Sequence, residues 1–275
     1  MVTDFYPPIL GGVEILVQSL AGELARRGHE VSVATLAARG LPSEEIDGDV
    51  RIHRIGASAQ RAAWLFKSDA RQWAPPVPDP EATMGLRTVV AKERPDVVHG
   101  HDWLARSYLP LKRRRGPALV MSLHYFTLTC PKKNLMYDGA PCSGPGLAKC
   151  LGCASRHYGR AKGPVVVVGQ RTFAAAEARM VDLFLPVSEA TAVGNGLPRA
   201  GLPHEVIHNF VRPPTASADG DAQRLAELPT EPFLLFVGDV RRDKGIHVLL
   251  EAYQRLRSPP PLALVGKVWP DTPAE

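Results

Sequence analysis

"MVTDFYPPILGGVEILVQSLAGELARRGHEVSVATL" (residues 1–36) decides how the rest of the chain is read. Val13, Leu16, Val17, Leu20, Ala21 and Leu24 recur at i, i+3, i+4 and i+7, which predicts an amphipathic helix from about Gly12 to Arg27. Gly28 closes it, and "EVSVATLA" follows as a strand. Ahead of the helix stand a Pro-Pro turn, a Gly-Gly pair and only "MVTD" of an earlier strand. A helix start presents unpaired N–H groups and a partial positive charge, and glycines there remove the β-carbons that would hold off a phosphate. Gly11 and Gly12 are therefore candidates to bind a phosphate-bearing ligand. The other reading is a tight turn that needs positive φ. "MVTD" is short for a central strand, so a natural or ancestral chain beginning earlier is expected.

Working outward, "DVRIHRIG", "DVVHGH", "ALVMSLH", "DLFLPVS" and "EVIHNFV" read as further strands, the last closing the set. A helix is expected over Glu81–Arg94, broken by Pro95. This alternation predicts an α/β domain over residues 1–211, Rossmann-like, with a doubly wound parallel sheet and right-handed crossovers. Residues 212–231 are rich in Pro, Ala, Asp and Gly and read as a linker carrying a short helix. Residues 232–275 hold "FLLFVGD", "KGIHVLLEAYQRL" and "PLALVG", a single βαβ unit of a second, incomplete Rossmann-like domain. Such a unit leaves both sheet edges open and buries little surface.

The 275 residues are 45% hydrophobic and 22% charged, enough for a packed core. No apolar run is long enough to span a bilayer, and the N-terminus lacks a basic-then-apolar leader, so a cytoplasmic location is expected. The net charge of +5 and pI of about 9.1 suit a polyanionic ligand, an anionic membrane surface or a solvated face. "LKRRRG" (residues 111–116) is the densest basic run and reads as a solvated helix end, with phosphate or peripheral membrane contact as the alternative. Nothing resembles a nucleic-acid-binding motif.

"TDFYPPILGGVE…LAGELARRGHEVSVAT", "PDVVHGHDW", "LPVSEA", "IHNFV" and "FLLFVGDVRRDKGIHVLLEAY" occur in that order. Together they resemble family 4 glycosyltransferases of the GT-B fold. The resemblance implies two Rossmann-like domains and transfer of a sugar, with retention, from a nucleotide-sugar donor to an acceptor that stays unidentified: a saccharide, a lipid-linked group or a small molecule. It implies that Gly11 and Gly12 lie near the donor diphosphate, and that His124, at the end of "VMSLH", lies at the transfer centre. His99 and His101, at the end of the preceding strand, are second candidates. Lys244 matches the cation that stabilises the departing diphosphate. The arginine usual after the first glycine of that motif is replaced by Asp239, with Arg241 or Arg242 as substitutes. Ser188 and Asn209 match positions that stabilise turns.

The family's pair of glutamates eight positions apart is absent: from residue 231 onward the acids of that type are Glu231, Glu251 and Glu275. A truncated or split transferase, weak or inactive alone, is therefore expected. A non-catalytic fragment or partner-binding module, and a GT-B nucleotide-sugar epimerase, are the alternatives. No cofactor is required for transfer, and no Asp-x-Asp stands at a strand end to hold a metal.

Cys130, Cys142, Cys150 and Cys153 fall within an insertion at residues 125–156, spaced C-x11-C-x7-C-x2-C. Four thiolates with a "CLGC" knuckle suit a structural Zn²⁺. Free thiols and disulfides are the other readings, the latter disfavoured in a reducing compartment.

Overall fold

The computed structural model describes residues 1–62, 71–211 and 225–268. The chain forms two compact units, Met1–Arg212 and Pro213–Glu275. Most of the expected linker, with its short helix, lies outside the described residues.

The first unit is built on β1 (Val2–Thr3), β2 (Ser32–Leu36), β3 (Glu44–Asp47), β4 (Val50–Ile55), β5 (Val97–Gly100), β6 (Ala118–Leu123), the small hairpin β7 (Met136–Tyr137) and β8 (Ala140–Pro141), and β9 (Leu183–Pro186). Seven of these strands form one sheet in the order β3-β4-β2-β1-β5-β6-β9. Only the β3–β4 pairing is antiparallel. The expected parallel α/β sheet is present. The order reverses at β1, with β2 on one side and β5 on the other. Ligands of open α/β sheets bind beyond the carboxyl ends of strands at such a switch point.

The short first strand was expected to be unfit for the centre of the sheet; it is in fact the central strand. Further backbone bonds tie it in: the Ala34 N–H donates to the Met1 carbonyl, Leu36 to Asp4, and His101 to Val2.

Helix α1 (Gly12–Arg26) follows the predicted periodicity and buries Val17 and Ala21. They pack with Val33 of β2 and Ile52 of β4, whereas Ala34, Leu36 and Ile55 belong to a second apolar cluster with Leu86, Leu104 and Tyr108. Neighbouring strand residues point to opposite faces, so both faces of the sheet are covered, as in a doubly wound fold. Helix α2 (Pro80–Glu93) starts at Asp79, whose carboxylate accepts from the Ala82 N–H, and ends at left-handed Arg94 just before Pro95.

Three features depart from expectation. "EVIHNFV" is not a strand. Phe184 pairs with His204 in an isolated bridge. The Phe184 N–H donates to Pro203, and Glu205 and Ile207 donate to the Phe184 and Pro186 carbonyls, but Pro186 has no N–H to return a bond and complete the ladder. Second, the cysteine insertion is not a loose loop: Cys150 and Cys153 sit on helix α3 (Leu147–Tyr158). Third, the unpredicted helix α4 (Lys162–Met180) follows it. It packs closely on α3. A β-carbon on Gly163 would come within 2.5 Å of the Ser155 backbone on α3. Short helices α5 (Glu189–Gly194), capped by the Ser188 hydroxyl, and α6 (Leu197–Ala200) complete the unit.

The second unit pairs β10 (Leu234–Val237) with parallel β11 (Leu262–Val265), joined through helix α7 (Ile246–Gln254), as predicted for these segments.

Candidate functional site

The carboxyl ends of β1, β5 and β6 carry a dense set of polar side chains. His99 and His101 come from the end of β5 and the residue after it, and His124 follows β6. The sequence suggested all three, and the fold gathers them. The His101 and His124 rings stack with centroids 5.4 Å apart. His101 Nδ1 and His124 Nε2 share a hydrogen bond of 3.1 Å. His99 Nε2 bonds the Ser122 hydroxyl at 2.8 Å.

Burial strips water from these rings and favours their neutral forms. It drives the His124 pKa down to about 4 and, aided by nearby positive charge, that of His99 down to about 3. His101 is held well below the usual histidine range by burial and then by its two histidine neighbours. All three are neutral at pH 7. A neutral imidazole has one N–H, so the shared hydrogen bond leaves one free donor and one free acceptor on the His101–His124 pair, whichever tautomers are present. Those free atoms, His101 Nε2 and His124 Nδ1, are buried and unpartnered among the described residues.

Three residues that sequence reasoning left unassigned complete the cluster. The Asp4 carboxylate, after β1, accepts from the backbone N–H groups of Leu104 and Ala74. Asp102, after β5, has its pKa pushed up to about 8 by burial and by the Asp4 charge, with Lys133 opposing. Lys133 extends from the cysteine insertion in a left-handed conformation (φ 66°). Its ammonium lies 3.8 Å from Asp102 Oδ1. It also lies 4.1 Å from the Trp103 ring centroid and 4.9 Å from that of Trp73, within cation–π range. "HGHDW" displays Asp102 and Trp103 openly, but no local pattern marks Lys133: only the chain reversal through Cys130 brings it here.

Eight buried side-chain polar atoms lack a hydrogen-bond partner among the described residues. Six of them, on Thr3, His101, Asp102, Trp103, His124 and Lys133, belong to β1 or to the chain following β5 and β6. Unpaired buried polar groups cost stability, and their concentration at one end of the sheet marks where a ligand would be met.

The Gly-Gly pair lies at the same end of the sheet. Gly11 caps α1 with extended backbone (φ −169°, ψ 175°), so the turn reading based on positive φ is overturned. What Gly11 permits is close approach: a β-carbon there would strike the Glu14 carboxylate, and the Arg71 guanidinium would be 2.9 Å away. Arg71 donates to the Leu10 carbonyl and pairs with Glu14 at 3.3 Å. At Gly12 a β-carbon would meet nothing within 4 Å, so the first turn of α1 opens into free space.

Lys244, Arg241 and Arg242 belong to the second unit. There Arg241 caps the 3-10 turn Arg242–Lys244, and left-handed Gly245 leads into α7. Lys244 is exposed. In "LKRRRG", Lys112 pairs with Asp182 at 2.7 Å, while Arg113, Arg114 and Arg115 face solvent. Among the described residues no helix is long and apolar enough to cross a membrane.

The zinc expectation is corrected. All four cysteines are free. They line one small cavity, yet among the described residues no group of three or more ligating side chains is placed to hold a metal ion. Cys150 and Cys153 sit on α3, and the Cys142 thiol donates to the Gly144 carbonyl at 3.4 Å.

The neutral histidines give a direct test. The ring C–H resonances of His99, His101 and His124 are expected to stay unshifted from pH 8 to 5. The sign for stability follows. Unfolded histidines protonate near pH 6.5, while these remain neutral when folded. Their contribution is full above pH 6.5 and is lost as pH falls through about 4. Titration of any of the three rings near 6.5 would contradict this.

Comparison with known proteins places this geometry in context. Residues 11–196 match the family model described as a glycosyl transferase 4-like domain. The glycogen synthase of Mycobacterium tuberculosis (strain CDC 1551 / Oshkosh) is 27% identical over 270 residues, covering 94% of this chain and 58% of that protein. A glycosyltransferase of Methanocaldococcus jannaschii is 34% identical over 108 residues, covering 38% of this chain and 24% of its own length. Among solved structures, sucrose-phosphate synthase from Thermosynechococcus elongatus superposes with a TM-score of 0.60 at 17% identity, over 95% of this chain and 58% of that one. That likeness shows a GT-B fold. The chain spans little more than half the length of this synthase and of the glycogen synthase.

Proposed function

Because the chain belongs to the glycosyl transferase 4-like family, we propose that it takes part in transferring a sugar, with retention at the anomeric carbon, from a nucleotide-sugar donor to an acceptor hydroxyl. The observation that carries this reading is the set of unpartnered donors and acceptors around His101, Asp102, Trp103, His124 and Lys133. A mixture of buried donors and acceptors suits a polyhydroxylated ligand, whose every hydroxyl both gives and accepts.

In this reading His124, neutral at working pH, hydrogen-bonds a hydroxyl of the transferred sugar and fixes it against the acceptor. A neutral ring does this without adding a charge that an oxocarbenium-like centre would oppose. The first turn of α1 at Gly12 receives the donor diphosphate, whose charge the exposed N–H groups favour. Within the second unit, Lys244, Arg241 and Arg242 are the cations offered to an anionic leaving group. Charge on the leaving group is thus met by protein groups, and no metal or other cofactor is invoked.

Gly12→Ala tests the diphosphate assignment with effects of opposite sign. The added methyl meets no protein atom, so stability is expected to hold or rise by up to about 1 kcal/mol. Nucleoside diphosphate affinity is expected to fall about tenfold, since the methyl stands where the phosphate would approach. Calorimetric titration with UDP, GDP and ADP, alongside thermal unfolding, measures both. Unchanged affinity for whichever diphosphate binds would overturn the assignment.

A further inference from the structure

Helix α4 is apolar on both sides. Inward, Val167 packs with Cys150 and Ala154 of α3, and Val166 and Phe173 lie against the main core. Outward, Val165 is 69% exposed and Val168 60%. Thr172 and Ala175 are exposed too. These four recur at spacings of three and four, so they form one uncharged stripe along the helix. A surface helix normally turns charged and polar residues to solvent, and here that face is left largely aliphatic.

The surrounding charge has one sign. Residues 139–176, all of them described, include Lys149, Arg156, Arg160, Lys162 and Arg171 and not one Asp or Glu. Arg156 is offset by Asp138 at 2.9 Å, and the first acid after the stretch, Glu177, is buried against Arg106. Arg171 is exposed three residues from Val168 and so stands beside it on the helix surface. Arg160 is exposed in the turn before α4, and Lys162 opens the helix. The helix crosses from β6 to parallel β9, and Gln170 donates to the Thr127 carbonyl, three residues after His124. Its first turns therefore lie toward the end of the sheet that carries the histidines.

We infer that the outer face of α4 docks on an anionic lipid bilayer. Val165 and Val168 enter the boundary between headgroups and acyl chains, and Arg160, Lys162 and Arg171 meet lipid phosphates. Helices that lie in a membrane interface have this composition, an aliphatic strip flanked by Lys and Arg. A second copy of the chain fits poorly, because two such faces bring like charge together with no acid to meet it. The stripe also lacks the Trp and Tyr anchors that dominate protein–protein contacts. An anionic leaflet supplies both an apolar layer and negative charge spread over a plane, which cations at both ends of the stripe require. The inference does not depend on the sugar-transfer reading.

Co-sedimentation of the full chain with vesicles tests it. Phosphatidylcholine vesicles containing about 30% phosphatidylglycerol are expected to bind the chain, pure phosphatidylcholine vesicles to bind it at least about tenfold more weakly, and salt at about 0.5 M to release it. Val165→Gln with Val168→Gln is expected to lower vesicle affinity at least about tenfold. Arg160→Gln with Arg171→Gln is expected to lower it about 25-fold, at about fivefold for each cation. All four positions are exposed, and unchanged thermal unfolding checks that the fold is kept. Replacing Arg113, Arg114 and Arg115, exposed on the loop that enters β6, by Gln is expected to change binding by less than about twofold. Absence of binding to the anionic vesicles, equal binding to both vesicle types, or loss of binding in the Arg113–Arg115 variant but not in the two α4 variants would overturn the inference. So would a dimer in sedimentation velocity that the valine variant dissolves, since the stripe would then belong to a second copy.

Discussion

Glu177→Ala is expected to destabilise the first unit by about 3–5 kcal/mol. Arg106 and Glu177 form an ion pair at 2.8 Å, with side chains 0% and 3% exposed. Arg106 also donates to the carbonyls of Pro76 and Thr127, and its guanidinium lies 5.4 Å from the Trp103 ring. Removing the carboxylate leaves a guanidinium that can neither lose its proton nor reach water. Breaking a buried pair is therefore much costlier than never having built it. The paired replacement Arg106→Met with Glu177→Leu removes both charges and is expected to cost less than Glu177→Ala alone. Urea unfolding of the three proteins checks both statements; a single-variant loss below about 1 kcal/mol, the level of an exposed pair, would refute the first. The contact also has a functional consequence. It ties α4 to the 3-10 helix Trp103–Leu111, which begins directly after Asp102, so the variant is expected to loosen the histidine–aspartate cluster as well.

His124→Ala is expected to lower sugar transfer, or donor hydrolysis, by about 10²–10³-fold, the usual effect of deleting one preorganised hydrogen-bonding group at a reacting centre. The ring is mostly buried, so some stability is lost too, and the kinetic effect must be separated from it. His124→Gln serves this purpose: its amide can both give and accept, and it is expected to recover part of the rate. A purely structural role would give variants whose activity follows their melting temperature. Where turnover is too slow to follow, donor affinity reports the same contact. His124→Ala with full activity or undiminished donor affinity would remove this residue from the transfer centre. His99→Ala is expected to do less, because its ring is engaged with Ser122 and not with the unpartnered atoms.

Much of the fold could be read directly from the sequence, since hydrophobic periodicity is a local property. The α1 stripe, the β2, β4, β5, β6 and β9 strands and the βαβ pattern near the C-terminus were visible residue by residue. The three histidines were visible too, because strand ends in a parallel sheet are where ligands bind. The misreadings had non-local causes. The segment that forms α4 was left without an element, and "EVIHNFV", read as a strand, pairs with β9 only through Glu205 and Ile207, since Pro186 has no N–H to return a bond. Cysteine spacing suggested a metal, but among the described residues no group of three or more ligating side chains is placed to hold one.

By itself, then, the sequence determined the alternation of strands and helices, the parallel sheet and the glycine-led helix start, because each depends on the chemistry of neighbouring residues. Only the tertiary structure decided that Asp4, Asp102, His101, His124 and Lys133 share one site. Those juxtapositions join positions up to 129 residues apart, Asp4 to Lys133. They exist because strand order, not chain order, determines which loop ends meet.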